Sequence, residues 1–328
     1  MPQIDKRRGY RTLLALFLAV VLAGAAGTAR AAGGKWPTHP VTFVVPFGAG
    51  GSTDGVARLI AKHLTDDFGQ QFIVENKPGA GGNIAGAAVA KASPDGYTLF
   101  FATTGPAAVN KLLYKRISFN PDKDYAPVVL IGIVPQAIVV SKKLPVKTLK
   151  DLIDYAKAHP GALTFGNSGV GTMAHISAVS LAQATGIKVT HVSYRSGAQA
   201  LQDVLGGQID VAFPAYIPQV AHMNTLAVTG KERLASLPNV PTVRETGVAD
   251  IVAGTWFGVI APTGTPPGVI AKINTSVNEF LKTPQARQVS LQLGMQTIGG
   301  TPQDMKKFMD EETARWAPVI KKENISLN

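Results

Sequence analysis

The 328-residue chain carries a net charge of +11 and 45% hydrophobic residues, enough apolar material for a sizeable core arranged as two lobes. It contains no cysteine, which excludes disulfides, thiolate chemistry and a lipid-modified N-terminal cysteine. Lysine and arginine are scattered, without a run or an interleaved aromatic stripe, so the positive field favours encounter with anionic solutes and not nucleic-acid binding.

Residues 1–31 read as a secretory signal peptide. Lys6, Arg7, Arg8 and Arg11 make a basic start, residues 13–26 are almost wholly apolar, and Ala29-Arg30-Ala31 fits a small-x-small cleavage site. The apolar run is shorter than the ~20 residues a bilayer span needs. Cleavage near Ala31, by the general route in preference to the twin-arginine one, predicts a periplasmic chain.

From Trp36 strands and helices alternate. Strand 41–45 precedes helix 54–68, strand 72–75, helix 83–92 and strand 97–102. The apolar stretch 128–140, broken by Gly132 and Pro135, suits a strand that leaves one lobe and enters another. The second lobe repeats the plan: helix 149–158, strand 163–165, helix 173–185, strand 189–193, helix 198–205 and strand 209–213. A return strand at 226–228 and a Pro-rich polar stretch at 230–246 follow. Strand 256–261 carries the chain back, and helices 267–281 and 302–322 finish it. This alternation predicts an α/β fold of two lobes, each a mostly parallel sheet flanked by helices. The first lobe is discontinuous (36–132 with 256–328) and the second continuous (133–255).

Two segments stand out: Pro46-Phe47-Gly48-Ala49-Gly50-Gly51-Ser52-Thr53-Asp54 and Asn167-Ser168-Gly169-Val170-Gly171-Thr172-Met173-Ala174-His175. Each follows a strand and opens a helix. Glycine lets backbone approach a ligand closely, and the first helical turn leaves unpaired N–H groups with about half a positive charge. Each is therefore an anion site, and the pair predicts a cleft that grips a small anion from both sides.

Enzyme readings fail. No G-x-x-x-x-G-K-[ST] is present. Gly169-Val170-Gly171-Thr172-Met173-Ala174 matches G-x-G-x-x-A, yet no acid lies between Gly169 and Gln202 to hold a ribose. The six histidines form no i, i+4 pair and no zinc framework. Ser168 lacks a nucleophile elbow, and a serine at a helix start is a cap. The expectation is a binding protein without enzyme activity, cofactor or metal.

Gly50, Gly51, Ser52 and Thr53 offer donors from the first lobe, and Ser168, Gly169, Gly171 and Thr172 from the second. Phe47 walls the ligand or packs in the core. Asp54 would repel a carboxylate in the cleft and suits its helix N-terminus. His175 meets a ligand or bridging water, or is structural. Arg195 follows a strand and is solvated by default; Asp203 receives a ligand donor or braces a loop.

These residues resemble the receptors of tripartite tricarboxylate transporters, the Bug family. Besides the two loops, the resemblance rests on Val74-Glu75-Asn76-Lys77-Pro78-Gly79-Ala80-Gly81-Gly82, on Ser93-Pro94-Asp95-Gly96-Tyr97-Thr98-Leu99 and on Asp203-Val204-Leu205-Gly206-Gly207-Gln208-Ile209-Asp210. Leu237-Pro238-Asn239-Val240-Pro241-Thr242 and Ala261-Pro262-Thr263-Gly264-Thr265-Pro266 continue it. It implies a type II-like periplasmic binding fold, closing on a small organic carboxylate and delivering it to one large and one small membrane subunit. It also implies cleft positions at Thr103, Thr104 and the turn from Tyr194 to Gly197. A sensor in place of a transporter is the alternative destination, and a monomer is expected. Arg195 stands where relatives usually carry lysine, and the connection 215–225 is shorter than in the family, which bears on second-lobe geometry and closure.

Overall fold

The computed structural model describes residues 35–322; the expected signal peptide lies outside them. In chain order the elements begin β1 (Val41–Val45), α1 (Ser52–Phe68), β2 (Phe72–Asn76), α2 (Asn83–Ala90) and β3 (Thr98–Thr103). A π-helical turn, Gly105–Val109, runs into α3 (Asn110–Leu113). Then come β4 (Tyr125–Pro135), β5 (Ala137–Val140), α4 (Leu149–Ala158), β6 (Thr164–Asn167), α5 (Met173–Thr185), β7 (Thr190–Ser193), α6 (Gly197–Gly206) and β8 (Val211–Ala212). The remainder is β9 (Thr225–Val228), β10 (Gly254–Pro262), α7 (Pro267–Leu281), α8 (Pro284–Leu293), β11 (Gln296–Thr297) and α9 (Pro302–Lys322).

Two mixed sheets result, ordered β11-β4-β10-β3-β1-β2 and β7-β6-β8-β5-β9. Parallel pairing holds where a helix links the strands: β1 with β2 and β3, β6 with β7 and β8. The strands that carry the chain between sheets pair antiparallel, β10 with β3 and β4, and β5 with β8 and β9. Both sheets thus contain the same β-α-β-α-β unit, in which the first strand lies between the second and the third. Such an order reversal opens a crevice at the carboxyl ends of the strands, and the fold has one in each sheet.

Local chemistry explains the elements. In β1, Val41, Phe43 and Val45 are fully buried, as are Leu99 to Ala102 in β3, since helices cover both faces. Along α1 the buried Val56, Ala57, Ile60 and Leu64 recur at helical spacing. Gly69 ends α1 in the left-handed region, its N–H donating to the Thr65 carbonyl.

Helices 149–158, 173–185, 267–281 and 302–322 coincide with the sequence expectation. The turn at 105–113, α8 and β11 were not anticipated. The short connection 215–225 is adequate: Ala215 bridges to Gln136, a 3-10 turn spans Pro218–His222, and β9 reaches its place beside β5.

Gly132 lies within β4 between β10 and β11. A methyl there would overlap the Gln296 carbonyl oxygen, a backbone atom that cannot swing aside. Gly132→Ala should cost about 1–3 kcal/mol in urea unfolding; an unchanged midpoint would contradict this close strand approach.

Candidate functional site

The chain leaves β1 through Pro46 and Phe47 into the first glycine loop. The Phe47 carbonyl accepts from the Asn76 side-chain amide at 2.8 Å, which anchors the loop to β2. Asp54 faces back into its own loop, accepting from the Gly50 N–H at 3.1 Å, Arg58 Nε at 2.9 Å and Asn76 Nδ2 at 3.0 Å. Burial pushes this carboxyl up, but the Arg58, Gly50 and Asn76 hydrogen bonds outweigh it and hold the carboxyl below its ordinary range. Gly50 and Asp54 therefore shape the loop, and the N–H groups at the start of α1 are left to point elsewhere.

The second glycine loop is braced in the same manner. Asn167 Oδ1 accepts from the Gly169 N–H at 3.0 Å and from Ser193 Oγ at 3.1 Å. Thr172 caps α5 by accepting the His175 N–H at 3.3 Å, and its hydroxyl donates to the Gly169 carbonyl at 2.7 Å. The His175 ring turns back, so that Nδ1 accepts the Gly171 N–H at 3.4 Å. Burial, and then the neighbouring His191, push the His175 imidazole down to about 4. It is neutral at physiological pH.

A third helix joins them. Ser196 caps α6, accepting the Gln199 N–H at 3.3 Å, while the Gln199 side chain accepts the Arg195 N–H at 3.1 Å. Asp203 accepts the Tyr194 hydroxyl at 2.7 Å and so steadies the same turn. The Arg195 side chain is exposed, and its carbonyl accepts the Gly48 N–H at 3.5 Å across the cleft.

These elements enclose a cavity of about 40 Å³. Phe47, Gly51, Ser52 and Thr53 line it from the first loop, Thr103 and Thr104 from the end of β3, Ser168 and Thr172 from the second loop, and Gly197 from α6. Gly50, Asp54, Gly169, Gly171, His175, Arg195 and Asp203 are not among the lining residues; they hold the loops that are. Ser196, within the turn from Tyr194 to Gly197, lines it too; sequence reasoning did not single out Gly48, Gly105, Gln136, Met173, Ala198, Pro214, Ala215, Ile217 and Thr255, which also line it. The Ser196-x-x-Gln199 capping pattern was the available signal for the third helix start, and a lone glutamine inside an apolar strand run was the signal for Gln136.

Among the described residues, no aspartate, glutamate, lysine, arginine or histidine lines the cavity. Its polarity comes from backbone and hydroxyls. Ser52 and Thr53 open α1, Met173 opens α5, and Gly197 and Ala198 open α6; first-turn N–H groups have no acceptor inside their own helix. Three helix N-termini, each worth about half a positive charge, converge on one space. The arrangement can bind an anion without a cationic side chain.

The loops also touch across the opening. Tyr114 Oη donates to the Val170 carbonyl at 3.4 Å. A methyl on Gly171, whose φ is +84°, would collide with Asn110 and Leu113. The second loop's glycine backbone thus packs closely on α3 beside the cavity.

The family model described as tripartite tricarboxylate transporter family receptor matches residues 56–325. The protein BugT of Bordetella pertussis is 33% identical over 322 residues, covering 96% of this chain and 99% of its own. An R. palustris protein solved with adipate superposes with a TM-score of 0.86 at 38% identity, covering 89% of this chain and 99% of that one. The periplasmic binding protein BugD superposes with a TM-score of 0.84 at 32% identity, again over 89% and 99%.

The His175 brace has a pH signature. Its imidazole falls from 6.5 unfolded to about 4 folded, so its contribution is whole above pH 6.5 and is lost as pH falls towards 4. The shift corresponds to about 3 kcal/mol. Between pH 7 and 4.5, urea unfolding should show wild type losing more stability than His175→Asn; parallel losses would refute the neutral buried imidazole.

Proposed function

Because the chain belongs to the tripartite tricarboxylate transporter receptor family, we propose that it is a periplasmic receptor for a small organic carboxylate, which it hands to a large and a small membrane subunit. The observation that carries this reading is the uncharged cavity at three helix N-termini. A carboxylate there accepts charge-assisted hydrogen bonds from Ser52, Thr53, Met173, Gly197 and Ala198, each worth ~1.5–3 kcal/mol. Three or four supply the ~8 kcal/mol of a micromolar complex after ordering costs. The absence of any acid or base among the lining side chains supports capture over turnover.

Closure follows from the same contacts. The lobes divide at the crossing strands, residues 133–255 moving against 36–132 with 256–328. The glycine loops make long polar contacts across the opening, Gly48 to Arg195 at 3.5 Å and Tyr114 to Val170 at 3.4 Å, while Arg315 donates to the Val252 carbonyl elsewhere between the lobes. An anion touching α1 from one lobe and α5 and α6 from the other binds the closed form better than the open one, and that difference drives the shift. Phe47, Thr103, Thr104, Ser168 and Thr172 complete the contact surface. Export by the N-terminal segment puts the receptor where its solute arrives.

Ser52 offers a clean test. It is the first residue of α1, where proline is tolerated, and Gly51 before it is extended at φ −86° and ψ 173°, as a residue preceding proline prefers. Ser52→Pro removes one N–H donor without breaking the helix. With a carboxylate found by thermal-shift screening, it should bind ~10–100-fold more weakly by calorimetry, the loss of one charge-assisted bond. Ser52→Ala should lose much less. Wild-type affinity in Ser52→Pro would overturn the reading.

A further inference from the structure

Residues 79–82, between β2 and α2, form a left-handed turn. Gly79, Ala80, Gly81 and Gly82 have φ of +130°, +48°, +61° and +94°, a run that needs glycine. The turn is fixed on its own side of the opening. Asn110, buried in α3, donates from Nδ2 to the Gly81 carbonyl at 3.1 Å and to Asn83 Oδ1 at 2.6 Å. A methyl on Gly82 would press on Pro46 and Pro106. The other side of the turn meets the second glycine loop. A methyl on Gly81 would overlap the Val170 carbonyl oxygen, and one on Gly169 would lie 3.6 Å from the Gly81 Cα. Tyr114 Oη donates to that same Val170 oxygen at 3.4 Å. None of these residues lines the cavity. Gly105 does, and a methyl there would sit 3.2 Å from the Gly81 carbonyl oxygen and 3.4 Å from that of Gly171. Turn and cavity therefore share a wall.

Backbone atoms packed this closely gain dispersion contacts that vanish when the two sides part, and the Tyr114 bond goes with them. The contact is made by protein atoms alone, so it favours the closed form whatever the cavity holds. Resting on the two-lobe closure reading above, we infer that the turn 79–82 is a closure latch. It populates the closed form ahead of any solute, and its Gly81 face on the Val170 carbonyl sets how near the lobes can come. Apparent affinity scales with the fraction of molecules already competent to bind. The latch therefore raises affinity for every solute alike and leaves discrimination among them to the cavity.

The test uses the mature chain with no solute added. The protein has no cysteine, so Arg116→Cys and Lys188→Cys, at exposed positions on opposite lobes, accept a pair of spin labels and no other site does. Double electron–electron resonance then reads the distance between them. Wild type should show a short, latched distance, alone or beside a longer, open one. Gly81→Ala should lose the short distance, because its methyl meets the Val170 carbonyl only when the lobes are closed. Gly69→Ala is the control: Gly69 has nearly the same φ, +68°, and nothing within 4 Å of an added methyl, so an equal backbone penalty should leave the distances as in wild type. Tyr114→Phe removes the cross-lobe bond and keeps the packing, so its short population should shrink without vanishing. A wild-type share of the short distance in Gly81→Ala, or in Tyr114→Phe where Gly81→Ala does not fold, would overturn the latch and leave closure on a solute standing. A wild type with the long distance alone would do the same. One fixed distance in every variant would overturn latch and closure together.

Discussion

Everything in this molecule turns on unpaired backbone N–H groups at the first turn of helices. Such groups are obligatory donors, and burying them without an acceptor is costly. α1, α5 and α6 all begin at one cavity whose lining contains no ionised side chain. An anion solves that problem for all three at once. Side-chain polar groups near the site are spent on holding loops: Asp54 on Gly50, Arg58 and Asn76, His175 on Gly171, and Asp203 on Tyr194.

The arrangement follows from topology. A β-α-β-α-β unit with its first strand in the middle occurs in both sheets, so each presents a strand-end crevice. β4 continues into β5 with only Gln136 between them, and β10 brings the chain back beside them. The two crevices face a shared space because few residues connect the sheets. At that crossing, Gln136 and Thr229 exchange backbone and side-chain bonds, and Gln136 reaches Thr255. Family membership and the geometry agree on a receptor; the chemistry of the cavity is what gives that agreement content.

Much of this is legible in the sequence. Both glycine loops announce themselves by strand, glycine run and helix start, and the fold brings Ser52 and Thr172 to one cavity. Asp54, expected either at its helix start or in the cleft, accepts hydrogen bonds from Gly50, Arg58 and Asn76. His175 and Arg195 could not be resolved from sequence, since whether a first-turn histidine faces a ligand or its own loop depends on a 3.4 Å contact with Gly171. The start of α6 was underweighted because its capping serine follows no glycine run. Gln136 announces itself only as a lone glutamine in an apolar run; where it points could not be read, because its partners lie 93 and 119 residues away. The expectation of mostly parallel sheets held within the repeated units and gave way at the crossing strands, whose direction is set by return of the chain.

The most direct measurement is amide-resolved NMR on isotope-labelled protein titrated with a bound carboxylate. If three helix starts share the anion, the N–H signals of Ser52, Thr53, Met173, Gly197 and Ala198 should move together, in proportion to occupancy and further than those of any exposed lysine or arginine segment. Shifts confined to the loops of one sheet, or to basic surface residues with those five unmoved, would contradict it.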